Sequence, residues 1–224
     1  MNETQDIFEE RKREIEFYFS ILVEMDAGKK DIINTIDNKL FFRIMKSNFL
    51  LMLYNIVEAT VTTGMLEIYE QLRNDNCTYT SLISEMQNIW RNYKVKEVYL
   101  SSDELKAYVN RVEVIVNDVI NETPVIFNKK MLDINGNLNA KRIKDLCDKH
   151  CIRYRVVDDE MKLEEVRKKR NSLAHGDESF SNCARDLTIT DLENIKDTIL
   201  NFLNGIIAGM KKYYDEKQYL KKKE

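Results

Sequence analysis

The 224-residue chain contains a single proline, Pro124, and six glycines. A sandwich or barrel needs turn residues about every 8–12 positions, so all-β architectures are excluded and helices become the default. Histidine is nearly as scarce, with only His150 and His175. A long apolar run is also missing: Phe49–Val57 is interrupted by Asn55 and closed by Glu58, short of the roughly 18 residues that mark a membrane span. The first residues, Met1-Asn2-Glu3-Thr4-Gln5-Asp6, lack the basic region and apolar stretch of a signal peptide. A cytoplasmic location without a membrane partner is therefore expected. Charge of one sign does not dominate, since 35 Lys+Arg stand against 38 Asp+Glu for a net −3. With 43% hydrophobic and 33% charged residues, the chain has enough apolar material for a core, which excludes disorder and low-complexity classes. Length and composition predict one domain over residues 1–224, with an irregular connection at about 121–138.

Four cysteines, Cys77, Cys147, Cys151 and Cys183, without a secretion signal read as reduced thiols rather than a disulfide framework. Cys147, His150 and Cys151 fall within about one helical turn, so a metal site comes into view. C-x3-C is not a usual zinc-knuckle spacing and no second close cysteine pair follows, so core or surface thiols are the reading kept, with no metal and no cofactor expected.

Periodicity organises the chain into helices. Phe8, Ile15, Tyr18, Phe19, Leu22 and Met25 line one face of a first helix, ended near Gly28 in Ala27-Gly28-Lys29-Lys30. A second helix runs from Asn38 or Lys39 to about Asn74. Its stretch Phe49-Leu50-Leu51-Met52-Leu53-Tyr54 is apolar all round, which marks a central helix. Asn48, Asn55 and Glu58 share one side of it and need partners if buried. A third helix is predicted from Tyr79 to about Arg91 and a fourth from Asp103 to Val119, opened by Ser101-x-x-Glu104 as a capping box, with Val95–Leu100 ambiguous between them. Asp133-Ile134-Asn135-Gly136-Asn137 is prone to turn. Asn139 caps a helix to about Lys149, Ile152–Val157 suits a short extended piece, and a further helix from Asp159 ends at Gly176. The last helix opens at Thr190-x-x-Glu193, a second capping box.

The most informative stretch is Glu165-Val166-Arg167-Lys168-Lys169-Arg170-Asn171-Ser172-Leu173-Ala174-His175-Gly176. Asn171 and His175, four apart, face the same way on a helix, whereas Arg170 and His175 stand about 140° apart around its axis. Arg170 must curl around to meet His175 or meet the histidine of a second copy. An Arg and a His flanking one cleft suit a phosphodiester, because guanidinium offers a planar fork to phosphate oxygens and imidazole moves protons near neutral pH. In metal-free RNA cleavage His175 would serve as base toward the 2′-hydroxyl or acid toward the leaving oxygen, Arg170 would stabilise the phosphorane, and Asn171 would orient the imidazole or hold the phosphate. The alternative is a solvated basic helix face with His175 as a capping cation worth about 0.3–1 kcal/mol. Residues 139–175 carry 11 Lys+Arg and 7 Asp+Glu, a local excess of positive charge in an acidic chain, as a polyanion-binding cleft needs.

These residues carry a resemblance. Arg170-Asn171-x-x-x-His175, followed by Gly176 and a long C-terminal helix, resembles the HEPN superfamily, and Glu165 with Lys169-Arg170 and His175 is similar to the longer motif of HEPN toxins. Phe8-Glu9-Glu10-Arg11-x-x-Glu14-Ile15, the long second helix and Asn137-Leu138-Asn139-Ala140-x-x-Ile143 look like MAE-type HEPN nucleases of prokaryotic defence and toxin loci. The resemblance implies an all-α antiparallel bundle with long central and C-terminal helices. It further implies a metal-independent endoribonuclease acting as a homodimer on an RNA substrate, with a possible antitoxin or defence-complex partner. Arg170 and His175 would be catalytic and Asn171 supporting, with Lys169, Glu165, Arg167 and Lys168 as RNA-binding or supporting residues. Glu165, four before Lys169, is placed to pair with it. Asn48, Asn55 and Glu58 would line the same cleft or bond within the bundle. A non-catalytic HEPN-like module binding nucleotide or protein within a defence or restriction-type complex is the alternative.

Overall fold

The computed structural model describes residues 1–28, 37–96, 104–132, 134, 136–156 and 160–222. Its helices are α1 (Asn2–Asp26), α2 (Asn38–Asn74), α3 (Ser84–Lys96), α4 (Glu104–Ile120), α5 (Ala140–Lys149), α6 (Glu160–His175), α7 (Phe180–Cys183) and α8 (Ile189–Asp215). The fold is all-α. Among the described residues the only pairings of β type are the isolated bridges Thr78–Pro124 and Leu82–Leu220, as the scarcity of turn residues requires.

The apolar circumference of α2 places it at the centre, packed against α1, α6, α7 and α8. Phe49, Leu50, Leu53, Ile56 and Val61 are fully buried along it. By length and composition α2 is apolar enough to cross a membrane; 56% of its most apolar window is buried inside the bundle. α1 runs antiparallel to α2: Thr4 meets Glu67 at one end, and at the other the Tyr18 hydroxyl donates to the Met45 carbonyl and Phe19 packs on Phe49. α8 runs parallel to α2, with Leu187 near Lys46 and Tyr214 bonded to Gln71. One hydrophobic core runs from Met1 to Tyr219.

Several element boundaries differ from the sequence reading. The third helix begins at Ser84, and Tyr79–Ser81 form a separate 3₁₀ turn because Thr78 and Ser81 satisfy each other's backbone and end that turn at extended Leu82. The C-terminal helix is capped by Thr188, whose hydroxyl accepts from the Asp191 amide while Asp191 returns the bond. Thr190 already lies inside that helix, so the expected Thr190–Glu193 box does not form. Asn139 caps α5 as expected, accepting from the Arg142 amide at 2.9 Å. Gly176, at φ 76°, closes α6. The Ser101-x-x-Glu104 box, Lys29-Lys30 and the Asp159 start fall on residues outside those described, as do parts of Val95–Leu100, Ile152–Val157 and Asp133–Asn137.

Candidate active site on α6

α6 lays its central turns across α2. The Arg170 guanidinium carbon lies 4.9 Å from the centroid of the Tyr54 ring, and Arg170 Nη1 donates to Asn171 Oδ1 at 3.0 Å. Asn171 Nδ2 in turn donates to Asn137 Oδ1 at 2.7 Å. The Tyr54 hydroxyl accepts from the Leu138 amide at 3.1 Å, and the Glu58 carboxylate lies beside it. A half-buried arginine is thus held on an aromatic face and by a side-chain chain that ends in the segment before α5.

Asn171 therefore faces Arg170. His175 stands at the exposed C-terminal end of α6 and makes no hydrogen bond or ion pair among the described residues. The chain presents a fixed guanidinium and an uncommitted imidazole on the same helix, without bringing the two into contact.

The remaining basic residues of the motif divide by role. Arg167 forms a two-pronged pair with Glu164, at 2.6 and 3.0 Å, and reaches Asn137 at 3.4 Å. Asn139 also donates to Glu164, and these bonds, Arg167's first, hold the Glu164 carboxyl down at about 2. Lys169 Nζ donates to the Cys183 carbonyl at 2.5 Å, which ties α6 to α7. The Glu165–Lys169 pair expected from spacing is replaced: Glu165 lies 3.9 Å from Lys162 because Lys169 is drawn to the carbonyl. Lys168 is exposed. On α2, Ser47 Oγ donates to the Phe180 carbonyl and buried Lys46 donates to the carbonyls of Arg185 and Leu187, so the turn after His175 is clamped from two helices.

Of the polar side of α2, only Glu58 joins the site, within 3.9 Å of the position a Cβ on Gly136 would take, as Arg170 Nη2 is. Asn48 reaches Tyr18 and Asn55 is exposed beside Arg11 and Glu14, both toward α1. Tyr54, Asn137 and Glu164 were not singled out as site residues by sequence. Asn137 lay inside the stretch Asn137–Ile143 that carried the resemblance, and that was its only signal.

His150 is fully buried. Nδ1 lies 2.7 Å from the Leu146 carbonyl and Nε2 2.7 Å from the Tyr69 hydroxyl, and burial lowers its pKa to about 4. Neutral imidazole with a proton on Nδ1 satisfies both bonds, so both nitrogens are occupied in the core. Burial pushes the thiol of Cys147 up to about 12 and those of Cys77 and Cys183 up to about 11, away from nucleophilic or metal-binding character.

A family model for MAE_28990-like HEPN domains matches residues 2–219. No curated protein and no solved structure matches the chain.

Proposed function

The chain belongs to the MAE_28990-like HEPN family, and on that premise we propose that it is a metal-independent endoribonuclease acting as a cytoplasmic homodimer in a prokaryotic toxin–antitoxin or anti-phage system. The observation that carries this reading is the contrast between the two motif residues. Arg170 is oriented in advance on Tyr54 and Asn171, as transition-state stabilisation of a phosphorane demands. His175 is exposed and uncommitted, as a proton-transfer group at a cleft between subunits needs to be. The ribose 2′-oxygen attacks phosphorus as His175 takes its proton, and the P–O5′ bond breaks as the imidazolium so formed gives that proton to the departing 5′-oxygen, leaving a 2′,3′-cyclic phosphate. Arg170 neutralises the non-bridging oxygens.

The test is cleavage of single-stranded RNA by purified protein in EDTA. Activity should persist in chelator, fall at least about 100-fold in Arg170→Ala and in His175→Ala, and vanish on RNA carrying a 2′-deoxy residue at the cut site. Chelator-sensitive cleavage or equal cutting of DNA overturns the reading.

A second reading, a non-catalytic binding module of a defence complex, draws on the inward commitments of Arg170, Arg167 and Lys169. It predicts a folded protein without cleavage in either the parent or the variants.

A further inference from the structure

Arg153-Tyr154-Arg155, the core of the extended piece expected from sequence, lies along α8. A Cβ on Gly205 would collide with the Arg155 carbonyl oxygen, and one on Gly209 with that of Arg153. Two extended residues advance about 6.6 Å and four helical residues about 6 Å, so the two carbonyls meet the two glycines in register. Residues 152–156 are thereby seated against the helix with the side chains of Arg153 and Arg155 on a common side, both exposed.

Beside this seat runs a groove of about 1050 Å³ whose walls include Tyr154, Ala208, Lys212 and both arginines. It continues into a second cavity of about 580 Å³ that shares Cys151, Arg153 and Lys212 and adds Lys217, Lys221 and Lys222. Among the described residues, six cations line the pair of cavities against three carboxylates, in a chain whose net charge is −3. Lys217 is taken by Asp75 at 2.8 Å and Lys221 by the Thr80 carbonyl. Arg153 and Arg155 are exposed and make no hydrogen bond or ion pair among the described residues, so both guanidinium groups are free to take a ligand.

We propose that this groove binds the phosphodiester backbone of single-stranded RNA, with Arg153 and Arg155 as its principal phosphate contacts. The identity of the polyanion rests on the ribonuclease reading above. Guanidinium matches phosphate oxygens in a planar fork, and two such forks on alternate residues of an extended strand face a polyanion that is itself extended. The groove lies along Gly205–Lys212, about 24 Å up α8 from its start at Ile189, whereas His175 precedes the turn that Lys46 and Ser47 hold near that start. It is therefore a remote contact that retains the strand while cleavage takes place elsewhere, a use of binding energy away from the reacting bond.

The experiment is an anisotropy titration of a fluorescein-labelled single-stranded RNA of about 20 nucleotides, a length that exceeds typical single-strand site sizes. The protein carries His175→Ala so that the probe stays intact, with and without Arg153→Gln/Arg155→Gln. Loss of two phosphate contacts should weaken binding at least about tenfold near physiological salt and reduce the slope of log K against log salt by about 1.4. A control with the same charge change elsewhere, Lys12→Gln/Lys211→Gln, should leave the slope unchanged. Equal slopes in the arginine pair, equal losses in the control, or displacement of the RNA by polyglutamate at equal concentration overturns the groove assignment. Cleavage of a dinucleotide by the Arg153→Gln/Arg155→Gln protein with His175 intact tests the motif separately. If that cleavage persists and RNA affinity is unmoved, the groove fails and the ribonuclease reading stands; if cleavage is absent throughout and affinity falls, the reverse holds.

Discussion

Arg170 and Tyr54 form the contact that joins the motif helix to the central helix, guanidinium over ring at 4.9 Å. The ring supplies the face and its hydroxyl accepts from the Leu138 amide, so one side chain supports both the arginine and the chain that holds Asn137. The two functions separate by substitution. Tyr54→Phe keeps the face and leaves the buried Leu138 amide without its partner, which should cost about 1–3 kcal/mol of stability while retaining most RNA cleavage. Tyr54→Leu removes the face too and should lower cleavage well below the Phe variant at matched folded fraction. Urea melts and initial rates on one RNA measure both; equal rates in the two variants would remove the ring from the account.

Adjacent lysines on α6 should behave oppositely. Lys169 is bonded to the Cys183 carbonyl, and a charge-assisted bond of this kind contributes about 1.5–3 kcal/mol. Lys168 is 69% exposed and lies 3.9 Å from Glu164, a contact worth about 0–1 kcal/mol. Lys169→Met should therefore lower the urea midpoint clearly and loosen residues 183–188 in hydrogen exchange. Lys168→Met should leave both nearly unchanged and act only on the salt dependence of RNA binding.

The sequence made the central helix legible because its apolar circumference has one physical solution, burial on all sides. Arg170 and His175 stand out in the sequence for the opposite reason: two scarce or costly groups fall close together at a helix end. The supporting contacts were not legible. Tyr54 lies 116 positions before Arg170, and only folding brings them together, so helical spacing carries no trace of the pair. Spacing also favoured Glu165 as the partner of Lys169, whereas the nearby Cys183 carbonyl competes for that ammonium and Glu164 takes the ion pair with Arg167. The capping box at Thr190 was displaced by two residues because Thr188-x-x-Asp191 satisfies the same rule one half-turn earlier.

Glu164 should leave a signature in acid. Its carboxyl titrates at about 2 in the folded chain against 4.5 for the ordinary group, chiefly through Arg167. A lowered carboxyl pKa stabilises the fold above the ordinary value and ceases to do so as pH falls through the folded one. The stability gap between the parent and Glu164→Gln should be about 1 kcal/mol near neutrality, given the partial exposure. It should be constant above about pH 5 and should close between 4.5 and 2. Thermal melts across this range measure it; a gap independent of pH would show that the Glu164 charge contributes nothing.

His150 acts in a separate window. Its folded pKa is about 4 against an ordinary 6.5, through burial, so the unfolded chain binds the proton first. The His150 contribution to stability should therefore decline as pH falls from 6.5 to 4 and become constant below that, where the carboxylates take over. His150→Gln, which cannot titrate, should start less stable because the Tyr69 hydroxyl and Leu146 carbonyl lose a shaped partner, yet should show no slope between pH 6.5 and about 5, above the carboxylate window. Urea midpoints at half-unit steps of pH separate the two curves.

The disposition of Arg170 and His175 makes a prediction about assembly that single variants cannot test. Arg170 is bound inward to Tyr54 and Asn171 while His175 is exposed at the end of the same helix. If cleavage takes the arginine of one subunit and the histidine of the other, a two-fold dimer contains two equivalent composite sites. Mixing inactive Arg170→Ala with inactive His175→Ala and exchanging subunits should then restore activity. Half of the dimers are mixed at equal stoichiometry and each holds one intact site, so recovery should approach about one quarter of the parent rate. If both residues come from the same subunit, no intact site is created at any mixing ratio and activity stays at the level of the separate variants. Co-purification through different affinity tags on the two variants shows that exchange has produced mixed dimers, so a silent preparation of mixed dimers would overturn the shared-site arrangement itself.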